Sequence, residues 1–244
     1  MSDEAAAFLR ARRRPIEMVI FDCDGVLIDS EGLCNRVCAA LLTEQGWPMT
    51  GQECHDRFIG LSFPAMQPMI EAELGRSLGA GWVDQVVAAV TAAMTREVEA
   101  MPGARAALDA VTGLGLPWRI ASNSSHTEMH AKFTRVGWSD LVAGRTHSGI
   151  EVAAPKPAPD VFLAAAAAER IDPLACLVIE DSVAGATAAR AARMDCLGLV
   201  PHGDDSGLRA VGAVPFRAMG DLGWVLAGAR PSSQPNTSPH TSPC

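Results

Sequence analysis

Three observations predict an α/β fold: a parallel sheet with helices on both faces, carrying a helical insert. Short apolar runs at Met18–Asp24, Trp118–Ser122 and Cys176–Glu180 each end in acidic or hydroxyl residues. From residue 104 onward, helix-favouring stretches alternate with such runs. Between the first run and the second lies Leu33 to Ala100, a long segment with no strand pattern. Continuous apolar runs of this length suit strands buried on both faces. Strands alternating with helices imply parallel crossover units.

Residues 1–17 contain the basic run Arg10, Arg12, Arg13 and Arg14. Charge runs of this kind are ordinarily solvated, so the segment is expected as an N-terminal tail. The core is expected from residues 18–32 and 101–229, and the helical insert from residues 33–100. That insert is broken at Gly46-Trp47-Pro48, Gly60–Pro64 and Gly79–Gly81, which divides it into several helices. After Pro102-Gly103 a helix is expected over Ala104–Leu114, then the strand Trp118–Ser122 and a helix over Ser125–Val136 stopped by Gly137. A short strand at Leu141–Gly144 and an alanine-rich helix at Pro159–Glu169 follow. The strand Cys176–Glu180 leads to a helix at Val183–Arg193 and a strand at Cys196–Val200. Residues 230–244 are rich in Pro, Ser and Thr. They cannot bury enough apolar surface to offset their ordering entropy, so a disordered C-terminal tail is expected.

The chain has 244 residues, of which 48 % are hydrophobic, enough for one core plus a smaller insert. Its net charge of −8 gives no general attraction for nucleic acid. The N-terminus begins with acids, and no apolar stretch reaches membrane-spanning length, so neither a signal peptide nor a membrane partner is expected. Seven scattered cysteines without a CxxC pair fit free thiols in a reducing cytoplasm. A cytoplasmic monomer or weak homodimer is the expectation.

In a parallel α/β sheet the ligand site lies at the carboxyl ends of the strands. Four features stand there. Asp22 and Asp24 flank one residue at the end of the first strand. Two close carboxylates repel each other unless a cation neutralises them, and oxygen ligands of this kind suit Mg²⁺. Gly25 lets the chain leave the strand sharply. Ser122-Asn123-Ser124 stands before a helix, where hydroxyls, an amide and N-terminal N–H groups can hold a phosphate oxygen. Lys156, between Pro155 and Pro157, is a cation on a stiffened backbone. Glu180-Asp181 closes a third strand with two more acids. Each feature has an ordinary alternative: an acidic turn, an N-cap, a solvated loop lysine, a second N-cap. Together they supply a nucleophile, a general acid/base, hydrogen-bond donors, a cation and metal ligands, a complete set for phosphoryl transfer.

Four motifs in order carry a family resemblance. Phe21-Asp22-Cys23-Asp24-Gly25-Val26-Leu27-Ile28-Asp29-Ser30 resembles the first motif of the haloacid dehalogenase-like hydrolases. Ala121-Ser122-Asn123 resembles the second, Lys156-Pro157 with Pro159-Asp160 the third, and Ile179 to Gly185 the fourth. The resemblance is nearest to the phosphatases related to β-phosphoglucomutase. It implies a Rossmann-like core with a helical cap. It also implies that Asp22 is the nucleophile, that Asp24 is the general acid/base, and that Lys156 stabilises charge on nucleophile and phosphate. Ser122 and Asn123 would bind the phosphoryl group. Mg²⁺ would be held by Asp22, the carbonyl of Asp24 and Asp181, with Glu180 in support.

Within the family, dehalogenases lack the second acid that Asp24 provides. Phosphonate hydrolases use a cap lysine, and residues 33–100 contain none. The expected specificity loop, residues 57–64, is largely apolar, with Arg57 its single cation. A sugar bisphosphate would require more positive charge, since each phosphate carries about 1.5–2 negative charges. The expected substrate is therefore a small phosphorylated metabolite, hydrolysed at a phosphate monoester. The alternatives are a phosphosugar mutase and a non-catalytic phosphate-binding protein. His126 and His130 have helical i, i+4 spacing, but no third ligand accompanies them in the manner of a zinc site.

Overall fold

The computed structural model describes residues 3–58, 61 and 63–228. The sheet consists of β1 (Met18–Phe21), β2 (Trp118–Ser122), β3 (Thr146–Ser148), β4 (Cys176–Glu180), β5 (Asp195–Leu199) and β6 (Val214–Phe216). All pairings are parallel, in the order β3-β2-β1-β4-β5-β6. The chain runs outward from β1 through β2 to β3, then returns to the other side of β1 as β4. The topological switch point therefore lies at β1 and β4, and this is where a crevice opens beyond the strand ends.

Alternation along the central strands feeds two cores. Val19 and Phe21 of β1, with Leu177 and Ile179 of β4, face one core. Met18, Ile20, Cys176 and Val178 face the other. Phe21 meets Trp118 edge to face at 6.4 Å, a favoured aromatic arrangement. Helices cover both faces, so the central strands are buried along their whole length, as their unbroken apolar runs require.

The cap is formed by α2 (Ser30–Glu44), α3 (Gly51–Phe58), α4 (Phe63–Leu74) and α5 (Trp82–Glu97). It has its own core, in which Leu42, Phe58, Ile70, Trp82 and Val86 meet. Its entry and exit strands run side by side. Asp29 N–H donates to the Glu99 carbonyl at 2.9 Å and Met101 N–H to the Leu27 carbonyl at 3.0 Å. Three residues of the expected specificity loop, Ile59, Gly60 and Ser62, lie outside the described set, as does the expected tail at 230–244.

Three expectations are corrected. Residues 3–17 are not a solvated tail. They form helix α1 (Asp3–Arg10), whose Ala5, Ala6 and Leu9 are fully buried in the first core. The basic run following it is also engaged: the Arg12 side chain is 7 % exposed and pairs with Asp195, and Arg14 pairs with Asp172 at 2.8 Å. Apolar residues at positions 5, 6 and 9 are a helical face, which the neighbouring charge obscured. Second, Leu141–Gly144 is not a strand. Helix α6 (Ala104–Gly113) and β2 are followed by α7 (His126–Arg135), and then Ser139–Val142 form the short helix α8. Phe133 stacks on Trp138 there and Val142 is buried beneath them, so the run is apolar because it packs as a helical turn. The strand comes later, at β3. Third, β6 adds an edge strand unforeseen in the sequence. It is three residues long and contains Pro215, which the ladder tolerates at an edge. The helices α9 (Asp160–Glu169), α10 (Val183–Ala191), α11 (Ser206–Ala210) and α12 (Leu222–Ala227) complete the core.

Candidate active site

A cleft of about 680 Å³ lies between the cap and the carboxyl edge of the sheet. Asp22, Asp24, Ser122, Asn123, Lys156, Glu180 and Asp181 all line it. They arrive from three strand ends and one loop, separated by up to 159 positions in the chain (181 − 22).

Lys156 is the centre of this arrangement. Its ammonium donates to Asp22 Oδ1 at 2.6 Å, to Glu180 Oε1 at 2.7 Å and to the Ala121 carbonyl at 2.8 Å. All three of its protons are therefore directed, and it sits 4.6 Å above the Phe162 ring. Burial alone would push its pKa down. Attraction to Asp22 and Glu180 exceeds that, so it is held above the ordinary lysine value and stays charged.

Asp22 is 7 % exposed and Glu180 is fully buried. Ligand oxygens of Asp22, Glu180 and Asp181 lie within 4.8 Å of one another. Burial pushes Asp22 up to about 7, with Lys156 pulling it down and repulsion from Glu180 adding to the rise. Burial, then repulsion from Asp22 and Glu180, drives Asp181 well above its usual range. Glu180 is well supplied with donors: its Oε2 accepts from the Asp181 and Ser182 amides, each at 3.0 Å, and from the Ser182 hydroxyl at 2.9 Å. Among the described residues, no side-chain or backbone donor meets the Asp181 carboxylate. Three crowded carboxylates with one lysine leave negative charge uncompensated, which is the chemistry of a hard divalent cation site.

Two glycines make room for these acids. Gly25 has φ +76°, and a Cβ there would lie 1.7 Å from Asp181 Oδ2. A Cβ on Gly185 would lie 1.7 Å from Glu180 Oε1. Any side chain at either position would displace a carboxylate of the cluster.

The remaining sequence-identified residues take less obvious places. Asn123 lines the cleft, but both ends of its amide are occupied: Oδ1 accepts from Lys156 N–H at 2.9 Å and Nδ2 donates to the Lys156 carbonyl at 3.2 Å. Its side chain thus clamps the lysine backbone. The Ser122 hydroxyl accepts from Ser124 N–H at 3.0 Å and is 2 % exposed. The Asp24 carboxylate turns away from the acidic cluster. It accepts from Lys132 Nζ at 2.6 Å and from the Ser124 hydroxyl at 2.8 Å. Burial raises Asp24, but the attraction of Lys132 and its hydrogen bonds outweigh that and hold it below the usual range.

Lys132 is the site residue that sequence reasoning missed. It lies in the last turn of α7, is 9 % exposed, and also donates to Ser124 Oγ at 3.1 Å. A signal was present: the chain contains only two lysines, Lys132 and Lys156, against eighteen arginines (20 − 2). Both stand at this site. We expect Lys132→Met to lower kcat by about 10–100-fold with little change in KM, because it releases Asp24 from its position rather than removing a contact to substrate. Steady-state kinetics on a phosphate ester, with Lys132→Arg as partial rescue, checks this.

A parallel sheet with a helical cap and a lysine-bridged carboxylate cluster at its switch point defines a capped α/β hydrolase. The chain belongs to the haloacid dehalogenase-like hydrolases: the model of that family matches residues 16–193. It is 31 % identical over 181 residues to 6-phosphogluconate phosphatase of Escherichia coli K12, covering 74 % of this chain and 80 % of that protein. Hexitol phosphatase B of the same organism is 30 % identical over 186 residues, with 74 % and 82 % covered. A family hydrolase from Deinococcus radiodurans R1, solved with bound phosphate and sodium, has a TM-score of 0.79 at 32 % identity, covering 88 % of this chain and 96 % of that one. No helix among the described residues is long and apolar enough to cross a membrane.

Proposed function

We propose that this protein is a Mg²⁺-dependent phosphatase that hydrolyses a small phosphate monoester, such as a sugar phosphate, through a phosphoaspartate on Asp22. One observation carries the reading: a single buried lysine bridges the would-be nucleophile Asp22 and the supporting acid Glu180, with Asp181 alongside. Asp22, Asp181 and the Asp24 carbonyl would hold Mg²⁺, with Glu180 fixed behind them by its four donors. The ion, when bound, neutralises the carboxylates and the charge on the phosphoryl oxygens.

In the first step an Asp22 carboxylate oxygen bonds to phosphorus as the bond to the ester oxygen breaks. Asp24, once it has left Lys132 and taken up a proton from solvent, gives that leaving oxygen its proton. In the second step water attacks the phosphoaspartate, Asp24 takes the water's proton, and Asp22 is regenerated with inorganic phosphate. Lys156 holds Asp22 in line and offsets charge on the phosphoryl group; positioning and charge neutralisation are most of what phosphoryl transfer requires. The Ser122 hydroxyl, which lines the cleft, would meet a phosphoryl oxygen.

The test is release of inorganic phosphate from a panel of monoesters. With Mg²⁺ we expect turnover, and with EDTA a loss of at least about 100-fold, since the cation supplies several kcal/mol of charge stabilisation. Equal rates in both conditions would remove the metal from the mechanism. No release from any ester by folded protein would overturn the phosphatase reading.

A further inference from the structure

The part of the cleft remote from the reacting centre has an unusual charge balance. Lys156 is the one cation lining it among the described residues, and its protons are all committed. Beyond the reacting centre the charged lining consists of Glu31, from the first turn of α2, and Glu128, from the first turn of α7. Glu128 caps its own helix by accepting from the Ser125 amide at 2.7 Å and hydroxyl at 2.9 Å. Glu31 has no such tie. Its side chain is 58 % exposed and faces His55 Nδ1 at 3.4 Å. The cap wall around it is Cys34, Phe63, Val90 and Met94.

The cap's own cations are held elsewhere. Arg36 pairs with Asp29 at 3.5 Å. Arg57 pairs with Glu73 at 2.9 Å and lies over the Trp47 ring. Arg76 donates to Gln45, and Arg96 pairs with Glu97 at 3.6 Å. Residues 33–100 contain no lysine, and the three positions of the cap outside the described set, 59, 60 and 62, are Ile, Gly and Ser. A second phosphate or a carboxylate on the substrate would therefore leave water for an apolar wall, find no cation, and face Glu31. A hydroxyl or ammonium would instead donate to Glu31 in a charge-assisted hydrogen bond.

We infer, resting on the phosphatase reading, that the group esterified to the phosphate is uncharged and hydroxylated or carries an amine, and that Glu31 is the residue rejecting anionic leaving groups. This would separate the chain from its Escherichia coli relative named for 6-phosphogluconate, a compound that bears a carboxylate.

The test uses esters matched in carbon skeleton: glucitol 6-phosphate against 6-phosphogluconate, and glycerol 3-phosphate against 3-phosphoglycerate. Assays run at pH 8, above the ordinary titration range of imidazole. Binding is read by calorimetry on full-length Asp22→Asn with Mg²⁺, and turnover on wild type. In at least one pair the alcohol is expected to bind ten times more tightly or better than its carboxylate partner, equivalent to about 1.4 kcal/mol. Glu31→Gln should narrow that ratio severalfold. Carboxylates binding as well as alcohols, or no difference within either pair, overturns the inference. A ratio unchanged in Glu31→Gln overturns the assignment to Glu31. Alcohol-selective binding without turnover by wild type keeps the selectivity and overturns the phosphatase reading instead.

Discussion

Asp22→Asn should abolish phosphate release and, without metal, raise the melting temperature at pH 8. The amide is no nucleophile, so a loss of about 10⁴-fold or more is expected, as for other residues that form the covalent bond. The stability effect has the opposite sign because the site is charge-crowded. Burial and repulsion from Glu180 push the Asp22 carboxyl up to about 7. A carboxyl raised above its unfolded value binds more protons in the folded state, so stability falls as pH climbs from the ordinary carboxylate range through about 7. The asparagine variant lacks that slope. Thermal melts from pH 5 to 8 in EDTA should converge at the acid end and separate at the alkaline end. Mg²⁺ should stabilise wild type more than the variant. Residual activity near the wild-type level would rule out Asp22 as nucleophile.

Lys156→Ala should be the most destabilising substitution at the site. It strips three hydrogen bonds from a side chain that is 4 % exposed and leaves Asp22 and Glu180 buried without their counter-charge. Breaking a buried pair by removing one partner costs about 3–5 kcal/mol. In a chain of this size that is a fall of roughly 10 °C in melting temperature. The pKa of Lys156 is raised above the ordinary lysine value, so its contribution is fully present at neutral pH and disappears only in strong alkali. The deficit should be larger at pH 9 than at pH 7, because Lys156 also pulls the Asp22 carboxyl down, and without it that buried carboxyl resists ionisation to higher pH. Added Mg²⁺ should recover part of it by neutralising the same carboxylates, while activity stays lost. Unchanged melting in EDTA would contradict the ion-pair geometry.

The strand ends were legible because buried parallel strands are unbroken apolar runs, and the polar residues that terminate them mark the functional edge. Asp22, Ser122, Glu180 and Asp181 could be named on that ground, and Lys156 on its place between two prolines. Lys132 could not, because a lysine in the last turn of a helix is ordinarily solvated and its partner Asp24 is 108 positions away. Asn123 was legible as a site residue, but its commitment to the Lys156 backbone was not, because the contact crosses 33 positions. Helix α1 was hidden by the arginines that follow it, and β6 by its three-residue length.

By itself the sequence determined the α/β class, the helical insert and the acids at the strand ends, because periodicity and apolar run length are local properties. Only the tertiary structure decided which charges meet: that Lys156 bridges Asp22 and Glu180, that Lys132 holds Asp24, and that the cap arginines take partners outside the cleft lining. Electrostatic interaction depends on distance and burial, and chain folding sets both between residues far apart in sequence.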